Sequence, residues 1–277
     1  MEALPYIREF RGRTVVIKYG GAAMEQADLK EVFALDVILL ALVGIHPVIV
    51  HGGGPQIDAL MKKLGKEPRF VGGMRVTDEE TMEIVEMVLV GKINKEIVGL
   101  INHHGGRAVG LSGKDGTLLR ARRRPHRLPS GEELDIGLVG EVVAVSAEPI
   151  RLLEDAGFVP VIAPVGIGDG GETYNINADL VAGEVAAALG AEKLIHLTDV
   201  QGIVGTDGRL VSTLARKDAE RLVREGVIDG GMLPKVESSL RVLEAGTAKA
   251  HIIDGRVPHA ILLELFTREG IGTEIVL

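Results

Sequence analysis

Cysteine is absent from the 277 residues of this chain. Its absence excludes disulfides, thiolate metal sites and cysteine nucleophiles. Aromatic residues make up only 3% of the sequence, which leaves few side chains on which nucleic-acid bases could stack. The formal net charge is −8, whereas proteins that bind nucleic acid usually carry a basic face. These shortages argue against a thiol-dependent enzyme and against a nucleic-acid-binding protein.

Long hydrophobic runs are also missing, since none reaches the roughly 18 to 20 residues that a membrane-spanning helix needs. Residues 1–6 lack the basic segment and the apolar run of a secretion signal. We therefore expect a cytoplasmic protein without a membrane or nucleic-acid partner. Hydrophobic residues make up 46% of the chain, enough for the core of one large α/β domain or of two packed halves.

Strand-like and helix-like segments alternate along most of the chain, which predicts a mainly parallel sheet with helices on both faces. Strands are predicted at 15–18, 47–50, 108–111, 158–165, 193–197, 250–253 and 274–277. Helices are predicted near 29–43, 56–64, 178–189, 217–225, 233–245 and 259–268, with others after Thr77 and between Ser146 and Gly157. Ligands of such sheets bind beyond the carboxyl ends of the strands.

Local signals refine this outline. Thr77-Asp-Glu-Glu80 is typical of a capping box, and Ser146 is predicted to cap the helix that has Pro149 in its first turn. The stretch 112–145 predicts one or two hairpins, and its basic cluster around 120–127 is most simply a solvated loop or hairpin tip. The glycine-rich stretch 166–174 is predicted to be a loop and a soft boundary between two halves.

Two glycine loops each follow a short apolar strand. The first reads Lys18-Tyr-Gly-Gly21 and the second His51-Gly-Gly-Gly54. Glycines at a strand end let main-chain N–H groups approach a ligand, and a helix that follows adds its positive N-terminal end. Two such junctions and a lysine indicate a site for phosphate or carboxylate. The alternatives are that Lys18 reaches the surface and that His51 is a packed strand-end residue.

Further polar residues stand at predicted element boundaries. Arg75 suits a substrate carboxylate but could be an ordinary surface arginine. Asn175 and Asp179 lie at a predicted loop-to-helix junction, where helix capping by Asn177 is the simpler alternative. Lys235 follows a proline suited to the first turn of a helix, again a position facing an anion.

Familiar catalytic motifs are missing. The sequence contains no G-x-x-x-x-G-K-[ST] phosphate loop, no G-x-G-x-x-G fingerprint, no protein-kinase triad, no G-x-S-x-G elbow and no H-E-x-x-H zinc helix. The eight histidines show no metal-ligand spacing, and no protein metal site is predicted. The residues alone therefore predict an α/β enzyme that handles an anionic small molecule, most simply by phosphoryl transfer.

Six motifs in order resemble those of the acetylglutamate kinases, which belong to the amino acid kinase family. They are Lys18-Tyr-Gly-Gly, His51-Gly-Gly-Gly-Pro55, Gly73-Met-Arg75-Val-Thr77, Tyr174-Asn-Ile-Asn-Ala-Asp179, Leu197-Thr-Asp-Val-Gln-Gly202 and Gly231-Met-Leu-Pro-Lys235. The resemblance runs from about residue 13 to the C-terminus. It implies an open three-layer αβα sandwich with a mainly parallel central sheet. It also implies ATP-dependent phosphorylation of the side-chain carboxylate of N-acetyl-L-glutamate in arginine biosynthesis.

The same resemblance implies roles for individual residues. Lys18 and Lys235 would neutralise the transferring phosphoryl group from opposite sides, and Asp179 would hold both lysines. N-acetyl-L-glutamate would be bound by Gly53, Gly54, Arg75 and Asn175. Phosphate and ATP would be bound by Gly20, Gly21, Asp199, Val200, Gly202, Val204, Val227 and Asp229. Mg²⁺ would be held mostly by the nucleotide's phosphates. Residues 1–170 would form the acetylglutamate-binding and dimerisation half of a single domain, and 171–277 the ATP-binding half.

The C-terminal stretch from His259 to Thr273 resembles that of arginine-inhibited members of the family. Feedback inhibition by arginine is therefore expected, with His259, Glu264 and Gly272 near the effector. Those members are hexamers joined through an extra N-terminal helix, of which this chain has room only for the end. A homo-oligomer is expected, either a dimer or a hexamer.

Two other hypotheses stay open. A related kinase could form an acyl phosphate on carrier-bound aminoadipate or on carbamate, and the basic stretch 120–127 could then dock a carrier protein. A catalytically silent regulator on the same fold would be expected to lack one of Lys18, Asp179 and Lys235, and all three are present.

Overall fold

The computed structural model describes residues 3–127, 133–268 and 270–277. Its helices are Leu4–Phe10 (α1), Ala27–Leu42 (α2), Gly54–Lys63 (α3), Glu79–Glu86 (α4), Asn94–His103 (α5), Glu148–Asp155 (α6), Ala178–Leu189 (α7), Arg216–Arg224 (α8), Leu233–Glu244 (α9) and Ala260–Phe266 (α10). A π-helical segment, Met87–Ile93, joins α4 to α5. Short 3-10 turns lie at Gly21–Met24, Asp115–Thr117 and Gly230–Met232.

The strands are Thr14–Tyr19 (β1), His46–His51 (β2), Phe70–Val71 (β3), Met74–Arg75 (β4), Ala108–Ser112 (β5), Leu119–Arg123 (β6), His126–Arg127 (β7), Glu133–Leu134 (β8), Val139–Val145 (β9), Val159–Ala163 (β10), Val165–Ile167 (β11), Thr173–Ile176 (β12), Lys193–Thr198 (β13), Thr213–Ala215 (β14), Lys249–Asp254 (β15) and Thr273–Val276 (β16). Eight of them form the central sheet in the order β14-β16-β15-β13-β1-β2-β10-β5. All neighbours in this sheet are parallel except β15 and β16.

Two hydrophobic cores lie on the two faces of this sheet, because successive strand residues point to opposite faces. Val15 and Ile17 of β1 belong to a core that includes residues of α2 and α5. Val16, between them, belongs to a second core that includes residues of α7 and α9. All three side chains are fully buried. The three-layer αβα sandwich with a mainly parallel sheet is therefore confirmed.

The predicted hairpins of the stretch 112–145 are confirmed, since β6 pairs with β9 and β7 with β8 in antiparallel register. The predicted loop 166–174 is corrected at its two ends, which belong to β11 and β12 of a small four-stranded barrel with β6 and β9. A Cβ on Gly166 would lie 2.7 Å from a carbon of Ile176 and 2.9 Å from the Cβ of Ala121. The glycine therefore permits close packing inside the barrel, where the sequence suggested a flexible loop. The residues between β7 and β8 lie outside the described ranges.

Two predicted helix caps are also wrong. The cap of α4 is Asp78, whose carboxylate accepts a hydrogen bond from the backbone N–H of Thr81 at 2.8 Å. Thr77 instead donates its hydroxyl to the carbonyl of Arg75 at 2.9 Å. The residue before α6 is Ala147, which has no capping side chain, so Ser146 does not cap this helix. Across the described residues, no helix has both the length and the hydrophobicity needed to cross a membrane.

Candidate active site

The candidate site lies at the carboxyl ends of β1, β2 and β13. Lys18 of β1 lies beside His196 of β13 in the parallel register. Lys18 is two residues after Val16, so its side chain leaves the sheet on the same face, toward α7. Asp179 is in the first turn of α7 and therefore meets Lys18 at this edge.

Asp179 holds two lysines that are far apart in the sequence. The Nζ atom of Lys18 lies 3.2 Å from Oδ1 of Asp179, and the Nζ atom of Lys235 lies 3.2 Å from Oδ2. Lys235, in the first turn of α9, also donates to the carbonyl of Gly231 at 3.0 Å. All three charged side chains are at most 12% exposed. Two ammonium groups thus converge on one carboxylate in a weakly solvated place, where their charges act strongly on a ligand.

The ionisation of Asp179 follows from its neighbours. Burial alone raises the pKa of this carboxyl group. The positive charges of Lys18 and Lys235 and the nearby imidazole of His196 outweigh burial and hold the pKa of Asp179 below its ordinary value. Asp179 therefore stays a carboxylate at neutral pH and can keep both lysines in position.

His196 completes this cluster and was missed by sequence reasoning. Its Nδ1 atom lies 3.3 Å from Oδ1 of Asp179, and its Nε2 atom lies 3.0 Å from the hydroxyl of Ser238 on α9. Burial lowers the pKa of His196, although Asp179 partly offsets the effect. The sequence carries one weak signal, because a histidine inside the otherwise apolar strand 193–197 requires buried polar partners.

The first glycine loop leaves space for the side chain of Lys18. A Cβ on Gly20 would lie only 2.6 Å from Nζ of Lys18, so another residue here would displace the ammonium group. Gly21 has a φ of +67°, a conformation that favours glycine. A Cβ on Gly21 would lie 3.4 Å from the backbone nitrogen of Asp199, which places the end of β13 directly beside this loop.

The second glycine loop leads straight into α3. Gly53 is the N-cap of this helix, and no side chain of the described residues caps it. The first-turn N–H groups of a helix have no partner within the helix. A Cβ placed on Gly54 would meet no atom within 4 Å. The helix therefore presents uncapped N–H groups, and its positive end, to open space.

A cleft of about 330 Å³ brings the predicted acceptor residues together. Its lining includes Lys18, Gly20, Gly21, Gly53, Gly54, Arg75, Asn175 and Asp179. Arg75 is not an ordinary surface arginine, since its residue exposure is only 8%. Its Nη1 atom donates to Asp58 at 2.5 Å, and its Nη2 atom donates to the carbonyl of Gly54 at 3.3 Å.

Asn175 is tied to Arg75 through Thr77. The amide of Asn175 donates to the hydroxyl of Thr77 at 3.3 Å, and this hydroxyl donates in turn to the carbonyl of Arg75 at 2.9 Å. Asn177 is confirmed as the cap of α7, because its side chain accepts from the N–H groups of Asp179 and Leu180. The capping alternative was thus correct for Asn177, while Asn175 and Asp179 line the cleft.

Comparison with known proteins identifies the family. A family model described as the amino acid kinase family matches residues 13–254. This chain belongs to the amino acid kinase family. It is 61% identical to the acetylglutamate kinase of Syntrophus aciditrophicus, over 100% of this chain and 95% of that protein. This similarity over nearly the full length of both chains shows that the protein is a kinase.

Two solved structures extend the comparison. An N-acetylglutamate synthase from Neisseria gonorrhoeae, complexed with coenzyme A and N-acetyl-glutamate, superposes with a TM-score of 0.86 at 32% identity. The match covers 100% of this chain but 62% of the synthase. A carbamate kinase from Giardia lamblia superposes with a TM-score of 0.69 at 17% identity, over 96% of this chain and 98% of that chain. The latter likeness shows the amino acid kinase fold alone.

Arg124 is a second residue of the kinase cleft that sequence reasoning missed. It follows β6 and lines the cleft with Arg75. Its backbone N–H donates to the carbonyl of Val139, while its guanidinium has no ion-pair partner among the described residues. Its neighbour Arg123 pairs with Asp135 on the surface at 3.4 Å. The basic stretch thus contributes one residue to the cleft, although it was interpreted as a solvated tip.

The segments predicted to bind nucleotide share one hydrophobic core. Ile203 and Ile228 are buried in the same cluster, so 199–204 and 227–229 are both anchored to it. Asp199 lies next to Gly21, and the segment 227–229 leads to the 3-10 turn before Lys235. These segments do not line the acceptor cleft.

The predicted effector residues are only partly brought together. Glu264 and Gly272 line a separate cleft of about 460 Å³ near the amino ends of the central strands, together with Lys193. His259 lies outside that cleft, and its Nδ1 atom is 2.6 Å from Oδ1 of Asp36 on α2. The buried imidazole next to Glu264 is instead His251, at 2.6 Å.

Across the described residues, no group of three or more His, Asp or Glu side chains is placed to hold a metal ion. The carboxylate of Asp179 already has two ammonium partners.

Proposed function

We propose that this chain transfers the γ-phosphoryl group of ATP to the side-chain carboxylate of N-acetyl-L-glutamate, which yields an acyl phosphate in arginine biosynthesis. The observation that carries the proposal is the convergence of Lys18 and Lys235 on Asp179, beside a cleft with an uncapped helix N-terminus. The 61% identity to an acetylglutamate kinase over the whole chain supports the choice of acceptor.

The acceptor occupies the cleft between the two glycine loops. The N–H groups of Gly53 and Gly54 bind the carboxylate that attacks, and Arg75 and Asn175 bind the α-carboxylate and the N-acetyl end. The Thr77 hydroxyl that links Asn175 to Arg75 supports this division of roles. The hydroxyl joins the Asn175 amide to the backbone of Arg75, so both residues are held together in the lining of one cleft.

The reaction needs alignment and charge stabilisation more than proton transfer. A carboxylate is ionised and nucleophilic at neutral pH, so no general base is required. Lys18 and Lys235 neutralise the phosphoryl oxygens as the bond to the leaving oxygen breaks. Asp179 is their positioning residue, since its charge holds both ammonium groups without touching the substrates. The N–H groups of Gly20 and Gly21 bind phosphate oxygens.

The nucleotide binds over the C-terminal half of the domain. Asp199, Val200, Gly202 and Val204 line one side of the ATP site, and Val227 and Asp229 line the other. The shared packing of Ile203 and Ile228 supports this pairing. Mg²⁺ enters with the nucleotide and is held by its phosphates, which accords with the lack of a metal-ligand cluster in the described residues.

The proposal also covers the regulation and the assembly of the protein. Arginine binds in the cleft of Glu264 and Gly272, whose lining includes Glu9, Glu192, Glu264 and Glu274. Acidic side chains suit a guanidinium. The chain acts in the cytoplasm as a homo-oligomer, with residues 1–170 as its acetylglutamate-binding and dimerisation half and 171–277 as its ATP-binding half.

The same assay of acyl phosphate formation also tests the rival acceptors. A carrier-protein user needs a basic docking surface, yet three arginines of the 120–127 stretch are paired with acids: Arg120 with Asp169, Arg122 with Glu141 and Arg123 with Asp135. An assay that traps acyl phosphate with hydroxylamine compares acetylglutamate, aminoadipate derivatives and carbamate with ATP and Mg²⁺. Acetylglutamate should have the highest kcat/KM. A higher value for another acceptor would refute the assignment, and nucleotide binding without turnover would support the silent regulator.

A further inference from the structure

His51 sits at the end of β2 with both ring nitrogens engaged. It is fully buried. Its Nδ1 atom is 2.9 Å from the carbonyl oxygen of Gly52, and its Nε2 atom is 3.3 Å from the amide nitrogen of Asn94. A carbonyl oxygen only accepts and an amide nitrogen only donates, so Nδ1 carries the proton and Nε2 accepts. The two partners therefore select one neutral tautomer.

Asn94 is itself firmly oriented. Its amide nitrogen also donates to the carbonyl of Val161 at 2.9 Å, and its Oδ1 atom accepts from Lys95 at 3.0 Å. A Cβ on Gly110 would lie 1.8 Å from that Oδ1 atom. Only a glycine at this position therefore lets β5 come so close to the Asn94 amide. Asn94 thus connects β2 to β10 and to β5 and gives His51 a fixed partner.

The π-helical segment places the residues that pack on the glycine loop. The backbone N–H of Asn94 donates to the carbonyl of Leu89, five residues earlier. Such bonding turns Leu89 and Asn94, which are five residues apart, toward one side of the helix, whereas an α-helix would separate these two. A Cβ on Gly53 would lie 2.6 Å from a methyl of Leu89 and 2.4 Å from one of Ile93. The segment therefore presses on Gly53 while Asn94 holds His51.

We infer that His51 and Asn94 are positioning residues that hold the Gly52 peptide so that the N–H groups of Gly53 and Gly54 receive the acceptor carboxylate. Neither side chain lines the cleft. They act through the backbone: the imidazole fixes the Gly52 carbonyl on one side, and Leu89 and Ile93 limit Gly53 on the other. The inference rests on the proposed role of Gly53 and Gly54 in acceptor binding.

Burial supports a neutral imidazole at this place. It lowers the pKa of His51 to about 4, more than the hydrogen bond to Gly52 raises it. The charge of Lys95 acts in the same direction as burial. His51 is therefore neither a base nor a cation at neutral pH, and its contribution is geometric.

Two substitutions of His51 separate its two hydrogen bonds. An asparagine can place its amide nitrogen near the position of Nδ1 and keep the bond to Gly52. A glutamine can place its amide oxygen near Nε2 and keep only the bond to Asn94. We expect His51→Gln to raise the KM for acetylglutamate about tenfold, because small displacements of binding groups are costly. His51→Asn should raise it by no more than about threefold.

Asn94→Ala removes the partner of Nε2 of His51. This variant also provides the test if His51→Gln does not fold. It should raise the KM for acetylglutamate about tenfold and leave the KM for ATP within about twofold, since the first glycine loop is untouched. Asn102→Ala is the matched control. Asn102 lies on the same helix and bonds to Ala108 of β5, away from the glycine loop. Its KM values should equal those of the wild-type enzyme.

The outcomes separate the inference from the proposed function. Equal KM values for acetylglutamate in the wild type, His51→Gln and Asn94→Ala would overturn the inference and leave the reaction standing. So would equal losses in His51→Asn and His51→Gln, or parallel increases in both KM values. A wild-type enzyme that does not phosphorylate acetylglutamate would overturn the proposed function itself.

Discussion

At the scale of single residues, the site depends on one carboxylate that is shared by two ammonium groups. Removing one partner of a buried ion pair leaves an uncompensated charge, which is more costly than losing an exposed pair. Asp179 keeps a second lysine and His196 when either lysine is removed. Substitution of a lysine is therefore a test of catalysis that does not leave this carboxylate entirely without a partner.

Lys235→Ala and Lys18→Ala should each lower kcat by about 10² to 10³, the effect of losing one charge-stabilising donor. The KM for ATP should change by less than about threefold, because the charges matter most while the phosphoryl group is in transit. Steady-state kinetics with ATP and acetylglutamate measure both constants. Lys63→Ala, an exposed lysine on α3, is the control. A change confined to the KM for ATP would show that the roles are wrong.

Arg124 leads to a separate prediction about the acceptor. Its guanidinium lines the cleft and has no ion-pair partner among the described residues, so an anionic ligand can pair with it. Arg124→Ala should raise the KM for acetylglutamate about tenfold, about the value of one charge-assisted hydrogen bond. Arg123→Ala removes the adjacent arginine, which pairs with Asp135 on the surface, and should leave this KM unchanged. If both variants behave alike, Arg124 does not bind the acceptor.

Individual residues also show which parts of the candidate site could be predicted from the sequence. Lys18 was predictable, because a charge at the end of a buried strand is costly unless it serves a ligand or a partner. Arg75 and Asp179 were predicted with the help of the resemblance, since an acidic residue in the first turn of a helix is common without any such role. His196 and Arg124 were not predicted, because their places at the site depend on residues of other elements. Nothing near His196 in the sequence indicates that Asp179 will face it: β13 pairs with β1, which places His196 beside Lys18, and α7 packs on both strands.

At the scale of elements, α4 and the π-helical segment show where local signals were sufficient and where they failed. Asp78 was within the predicted capping motif, so the start of α4 was correct to one residue. The helical character of the following residues was also predicted. The π-turn was not, because no local sequence pattern marks the i→i+5 bond from Asn94 to Leu89.

The cap of α4 can be tested by stability. Asp78→Ala removes the acceptor for the N–H of Thr81 and the partner of Lys66 at 2.7 Å. The free energy of unfolding should fall by about 1 kcal/mol, as for other helix caps. Urea unfolding followed by circular dichroism measures it. Asp78→Asn should retain most of the cap, whereas an equal loss in Asp78→Asn would show that the ion pair with Lys66 and not the cap is responsible.

At the scale of the whole molecule, buried histidines make stability depend on pH. The pKa of His51 is about 4 in the folded protein and ordinarily 6.5, so the unfolded chain binds more protons between these values. Its contribution is complete above pH 6.5 and is lost as pH falls toward 4, by about 3 kcal/mol for this group. The lowered pKa of His196 acts in the same direction.

Urea unfolding at pH 7.5 and pH 5 measures this dependence. The wild-type protein should be less stable at pH 5. His51→Asn, which has no group that titrates in this range, should lose less stability over the same interval. Equal stability of the wild type at the two pH values would contradict the buried neutral state of these histidines.

The proposed regulation by arginine belongs to this scale too, because the cleft of Glu264 lies at the amino ends of the strands and the candidate active site at their carboxyl ends. Millimolar arginine should lower the rate of the wild-type enzyme. Glu264→Gln should weaken the inhibition about tenfold, since it removes one charge-assisted partner of a guanidinium, without changing kcat. His259→Ala should leave inhibition intact, because this imidazole contacts Asp36 outside the cleft. An unaltered rate in wild type would refute the effector site.

The sequence by itself determined the alternation of strands and helices, and with it the parallel sheet and the edge at which a ligand binds. These features follow from hydrophobic periodicity and from glycine at strand ends, which are local properties. Only the tertiary structure decided which charges meet. Lys18, Asp179 and Lys235 come from β1, α7 and α9, and the distances between them depend on strand order and helix packing, which arise from contacts between residues distant in the chain.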